Sequence, residues 1–418
     1  MNQVDSDAED IVARAAASSV SALVSWWAAP HSPALAPWLS TQGLYEVIDA
    51  INNSLPPSDL GVLQKLKGTL PVAPAFSGEG HGFTPGFEPR MVVGYCVAAG
   101  ATALRVRGDS WSDGELTAAS IDAFNAGLDA IRGKPVTQLW LVGLDGVTWD
   151  ADVAISLPWG EVRRVPDEFS KLAYGYPTTA LFRRAVTVSP LEAAETPVSA
   201  GGVTWSDLMP PTGRIINMIR LAFALARQNS PWPAVRASWS TQLLPFLPIV
   251  GVGGPAEDVP PKRVALSRDE VRDVERWAVE IEDNQCPALD IPTRRILSSL
   301  PEHGYWDDRL VDAVIAWEAL LGATPETTFR LCAALARLLE PEDTDRRQES
   351  FAELKGIYDA RSKVVHGKPY PPKRNSSVDT ERSIAVGLEA LRRLLRDRKD
   401  LLSIAASDKR GEALLLGK

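Results

Sequence analysis

The sequence predicts an α+β protein: a mixed α/β region first, then an all-α helical bundle. Three observations carry this reading. Short β-prone runs cluster between residues 91 and 190. From Ser267 onward, apolar residues recur with the spacing of a helix face. Segments rich in proline and glycine, at 189–212 and 231–261, break the chain between the two patterns. At 418 residues the chain is longer than one typical domain. Four parts are expected: a helical segment over 1–70, an α+β part over 71–200, a linker and packing helix over 201–264, and a helical domain over 265–418.

In chain order, an Ala- and Val-rich helix is expected over 8–29, stopped by Pro30. Two short helices follow over 40–53 and 57–68, parted by Pro56-Pro57. Residues 70–90 read as loop. Their Gly78-x-Gly80-x-Gly82 run has no Lys-Ser/Thr and leads into Pro85, so it is not a phosphate-binding loop. Strands are expected at Met91–Val97, Ala103–Arg107, Gln138–Val142, Asp152–Leu157 and Thr179–Val188, with a helix over 114–132. Trp111, Trp140, Trp149 and Trp159 lie in this part. Large aromatics usually pack in a core, and the alternative is a recognition surface.

A helix is predicted over Gly213–Arg227, and Pro231–Pro261 reads as a linker or an irregular packed loop. There Pro255 prevents Gly251-Val-Gly253-Gly254 from opening a dinucleotide-binding helix. Ser267-x-x-Glu270 is a capping-box signature for a helix ending near Asn284. Pro292 opens the next, to Leu300. Leu310, Val314, Trp317 and Leu321 mark one apolar stripe. Thr324-Pro325 reads as the start of a helix that puts Cys332, Leu335, Ala336 and Leu339 on one face. Phe351, Leu354 and Tyr358 mark another helix, and Ile384, Leu388, Leu391 and Leu395 the last. Helices in such short succession form a bundle.

Three cysteines, Cys96, Cys286 and Cys332, make no C-x-x-C pair and fit a reducing, cytoplasmic setting. Asp5, Asp7, Glu9 and Asp10 precede the first apolar run, unlike a signal peptide. No stretch is long and apolar enough to span a membrane, since Arg220 breaks the nearest one. His31, His81 and His303 have no Cys or carboxylate at ligand spacing, so neither a metal nor a cofactor is expected. Net charge is −9, which argues against a protein coated for nucleic acid. Yet Arg346–Lys399 holds 14 Lys+Arg against 7 Asp+Glu. A phosphate-bearing ligand explains this surplus, and so does a solvated helix face.

Within that basic stretch lies Tyr358-Asp-Ala-Arg361-Ser362-Lys363-Val-Val-His366-Gly367. Arginine binds phosphate with a planar fork of donors, and histidine exchanges protons near neutral pH. Cleavage of RNA without a metal needs both: a proton acceptor for the 2′-hydroxyl, and a cation for charge on the phosphorane. Five positions on a helix separate two side chains by about 140°. Arg361 and His366 therefore converge only if the last turn distorts or a second copy contributes.

With the upstream Asp307-Asp-Arg-Leu-Val-Asp-Ala-Val-Ile-Ala-Trp-Glu-Ala-Leu-Leu321, this motif resembles the HEPN superfamily, and within it the Apea-like HEPN domains of prokaryotes. The resemblance covers residues 265–402. It implies a HEPN helical bundle and a composite site in which two Arg/His motifs face each other across a homodimer. It further implies metal-independent endoribonuclease activity leaving 2′,3′-cyclic phosphate, in a phage-defence or toxin setting. Arg361 and His366 would be catalytic. Lys363 and Lys368 would guide the RNA backbone, and Tyr358 or Ser362 would bond to His366 or phosphate. The N-terminal region would bind a phage or host trigger. Where many HEPN motifs have Asn, Asp or His after the arginine, this chain has Ser362. The alternatives are a HEPN module that dimerises and binds RNA or protein without cutting, and a helix end where His366 caps carbonyls and Arg361 pairs with Glu318 or Asp359.

Overall fold

The computed structural model describes residues 3–27, 49–71, 76–77, 82–83, 87–107, 112–150, 153–164, 178–190, 212–244, 247–250, 262–300, 305–322 and 327–417. His31, His81, His303, Trp111, Gly251–Pro255 and Thr324-Pro325 lie outside them. The architecture is α+β, with helix predominating. Where the sequence suggested four consecutive parts, the chain divides into two interleaved compact units. One holds 1–144, 160–213 and 237–257, and the other 145–159, 214–236 and 258–418.

The first unit contains α1 (Gln3–Trp27), α2 (Pro57–Thr69), α3 (Val92–Arg107) and α4 (Asp113–Ile131). Ile11, Val12, Leu63, Leu66, Val97 and Phe124 are among the residues of its buried core. A capping box starts α4: the Ser112 hydroxyl accepts from the Glu115 N–H, and the Glu115 carboxylate accepts from the Ser112 N–H at 2.8 Å. These bonds hold the Glu115 carboxyl below its usual range. Asp5 is buried and takes two 2.8 Å bonds from Arg132, joining α1 to the end of α4.

The strands predicted at 91–97 and 103–107 are both part of α3. Val93, Val97, Ala101 and Leu104 follow each other at helical spacing and are buried. A continuous apolar run fits a buried helix as well as a strand, and here the alanines between tip the balance to helix.

The unit's sheet runs in the order β2 (Gly82–Phe83), β1 (Phe76–Ser77), β7 (Ala180–Pro190), β3 (Val136–Asp145), β8 (Arg236–Leu244), β9 (Leu247–Val250), and β6 (Gly160–Arg164) also pairs with β7. β3 and β7 are antiparallel from Val136↔Val188 to Leu144↔Ala180. Strands β8 and β9 replace the expected linker. Proline density around them masked the β-prone Ala237-Ser-Trp-Ser-Thr. Trp140 is buried, edge-on to Phe182 at 5.5 Å. Trp149 and Trp159, in the second unit, are buried too, so these three tryptophans are core.

The second unit pairs β4 (Val147–Thr148) in parallel with β10 (Val264–Ala265) and carries β5 (Ile155–Leu157). Its helices are α5 (Thr212–Ala226), α6 (Arg268–Asp283), α7 (Asp290–Ser299), α8 (Trp306–Leu321), α9 (Thr327–Leu339), α10 (Thr344–Val365), α11 (Ser376–Arg396), α12 (Lys399–Leu402) and α13 (Ser407–Leu415). The Ser267/Glu270 capping box starts α6 as predicted. The stripes on α8, α9 and α11 are buried. Trp317 is fully buried and donates to the Ser383 carbonyl at 3.0 Å, tying α8 to α11.

Two buried arginines close helix ends. Arg410 of α13 donates to the carbonyls of Ala319 and Leu320 at the end of α8, and to Ile404 and Ala405, all within 2.7–2.9 Å. Arg392 of α11 donates to Leu225 at 3.0 Å and Arg227 at 2.7 Å, at the end of α5. Each guanidinium meets the negative end of a helix dipole.

Candidate functional site

The site forms at the end of α10. Asp343 caps the start, accepting from the Arg346 N–H at 2.9 Å. Leu354, Ile357 and Ala360 are buried and fix the helix's rotation. At about 100° per residue, Arg361 then lies at one edge of the buried face and His366 on the far flank, with Tyr358, Ser362 and Val365 between them.

Arg361 turns toward α8. Its Nη2 donates to Glu318 Oε2 at 3.4 Å, longer than a strong charge-assisted bond. The Tyr358 hydroxyl holds the other Glu318 oxygen at 2.7 Å. The Arg361 guanidinium lies 5.9 Å from the Tyr358 ring centre. Burial, and then the bond to Glu318, push the Tyr358 phenol well above its ordinary value. Arg361 Nε is buried and meets no acceptor among the described residues. Of the two carboxylates the sequence offered, Glu318 and not Asp359 is therefore the partner.

The helix ends in a Schellman motif. His366 is the C-cap, its N–H donating to Ser362 at 3.2 Å. Gly367 follows at φ +65°, donating to Val364 at 2.9 Å, and Lys368 donates back to Lys363 at 2.8 Å. A side chain at 367 would be strained at that φ, which explains the glycine. The last turn is thus regular, and distortion does not bring Arg361 and His366 together within one chain. The His366 side chain is exposed and makes no hydrogen bond or ion pair among the described residues, so its imidazole does not cap carbonyls.

The loop after His366 folds back firmly. Arg374 grips Asp379 with bonds of 2.6 and 2.7 Å, and the Tyr370 hydroxyl donates to the same carboxylate. Tyr370 also meets Trp306 edge-on at 5.0 Å. Arg374 lies over Gly356, where a Cβ would stand 2.3 Å from its Nη1. This bracing was not legible in the sequence. The signal available was the Pro369-x-Pro371-Pro372 stiffening and the Asn375 helix cap.

Lys363, Lys368 and Lys373 are exposed, and Ser362 is half-buried. On α9, behind the site, burial and then the nearby Asp359 push the Cys332 thiol up to about 12, so it is no nucleophile near neutral pH. Among the described residues, no cluster of His, Cys, Asp and Glu has a metal-holding arrangement, and no helix is long and apolar enough to cross a membrane. No family model, curated protein or solved structure matches the chain.

Proposed function

We propose that this protein is a metal-independent endoribonuclease of the HEPN type, in which Arg361 and His366 of two chains form one composite site. The observation that supports this is the arrangement at the end of α10. A regular helix carries on one flank an arginine whose Nε has no acceptor among the described residues, and on the other an exposed histidine whose side chain has no partner among them. A second α10 related by a two-fold axis would bring an Arg361 opposite a His366. His366 would take the 2′-hydroxyl proton or give one to the 5′-oxygen. Arg361 would stabilise the equatorial oxygens. Lys363, Lys368 and Lys373 supply the phosphate-steering charge beside it. The N-terminal region would bind the phage or host trigger.

A second reading, an RNA- or protein-binding module without catalysis, is favoured by the Arg361–Glu318 contact, which already engages the cation.

Labelled single-stranded RNA and tRNA, incubated in EDTA, test both. The wild type should cut and leave 2′,3′-cyclic phosphate ends. Arg361→Ala and His366→Ala should each lose about 10²–10⁴-fold in rate. Because His366 is exposed, its variant should keep its melting temperature. Equal cleavage by wild type and His366→Ala refutes the catalytic assignment. RNA binding without cleavage by any of the three supports the binding module.

A further inference from the structure

A cavity of about 260 Å³ opens within the second unit, between α5, α6 and α7. Its wall is apolar: Met218, Leu221, Ile281 and Leu289 are all buried there. At its rim stand Arg214 of α5 and Arg294 of α7, both exposed.

What singles them out is a contrast on each helix. On α5, Arg220 is committed, with Nε donating to the Val235 carbonyl at 2.7 Å. On α7, Arg295 pairs with Asp312 at 2.8 Å. The guanidinium groups of Arg214 and Arg294 have no hydrogen bond or ion pair among the described residues, although they flank the same opening. Asp290 is the one carboxylate among the described lining residues, so the rim keeps a net positive charge. An apolar pocket just below the usual ~300–1,000 Å³ range, with two unused guanidinium groups at its mouth, suits a particular chemistry. Its apolar body is buried, and its single anionic group accepts charge-assisted bonds.

We infer that this cavity binds a small organic carboxylate, its hydrocarbon or aromatic part against Met218, Leu221 and Ile281 and its carboxylate between Arg214 and Arg294. The site stands apart from the Arg361/His366 assignment and does not depend on it.

Calorimetric titration of the full chain tests this with octanoate, phenylacetate and indole-3-acetate, beside 1-octanol as the uncharged counterpart. At least one carboxylate should bind one to one, at about 1 mM or tighter. Losing the charge should weaken binding about tenfold or more, whether through octanol in place of octanoate or through Arg214→Gln with Arg294→Gln. Both arginines are exposed, so the double variant should melt with the wild type. Met218→Trp, which fills the cavity, should abolish binding, and its far-ultraviolet spectrum and melting curve check that it folds. The inference is overturned if none of the three carboxylates binds. It is equally overturned if octanol matches octanoate, or if the double variant or a folded Met218→Trp binds as the wild type does.

Discussion

Arg410 and Arg361 occupy the same helical unit and use their charge in opposite ways. Arg410 is buried and directs its nitrogens at four backbone carbonyls within 2.9 Å. Arg361 has one long contact to Glu318, a nearby ring, and a buried Nε with no acceptor among the described residues. An arginine built for stability has its donors saturated by fixed dipoles. One left with capacity to spare has the profile of a group that awaits a ligand.

The strongest way to break this contrast is Arg410→Ala. Four carbonyls would lose their donor, and the end of α8 would lose its cap, so we expect a loss of about 3 kcal/mol or more. Denaturant unfolding measures it, and a loss under about 1 kcal/mol would mean that Arg410 is no more structural than Arg361. Glu318→Gln sharpens the other side. The amide still accepts from Tyr358 while the charge facing Arg361 disappears. Stability should change by less than about 1 kcal/mol, because the pair is long and partly solvated. RNA affinity at low salt should rise as the guanidinium is released. A fall in stability like that of Arg410→Ala would make Arg361 a structural residue.

The smallest effect is alkaline. Burial comes first, and a carboxylate acceptor second, in raising the phenols of Tyr358, beside Glu318, and Tyr370, beside Asp379. A phenol whose folded value lies above its unfolded one, about 10, adds stability that is fully present below that pH. The contribution is lost as pH rises toward the folded value. Following tyrosinate absorbance, Tyr358→Phe should remove a late-ionising phenol. A variant whose late phase is unchanged would show that Tyr358 does not hold Glu318.

The helical unit was legible because amphipathic stripes repeat at a period that only a helix satisfies, as Leu310, Val314, Trp317 and Leu321 do. The run at 92–104 was misread because its partly exposed face carries Tyr95, Ala99 and Ala103 in place of charged side chains, so no polar face reports its period. At 236–250 the prolines outweighed a short β-pattern. Within the site, Arg361, His366 and the Glu318 alternative were visible as residues. The clasp of Tyr370 and Arg374 on Asp379, and the Arg410 cap, were not, because they depend on packing geometry that no local pattern records.

The cap on α8 also sets an order in time. Chains emerge from the ribosome N-terminus first, and Arg410 lies 90 residues beyond Leu320, whose carbonyl it satisfies. A nascent chain already exposing Arg361 and His366 has α8, and hence Glu318, still unfastened at its end. The helix that positions the arginine's partner is secured only after the motif itself has been made, so a growing chain does not hold the surroundings of Arg361 in final form until its last helix has been added.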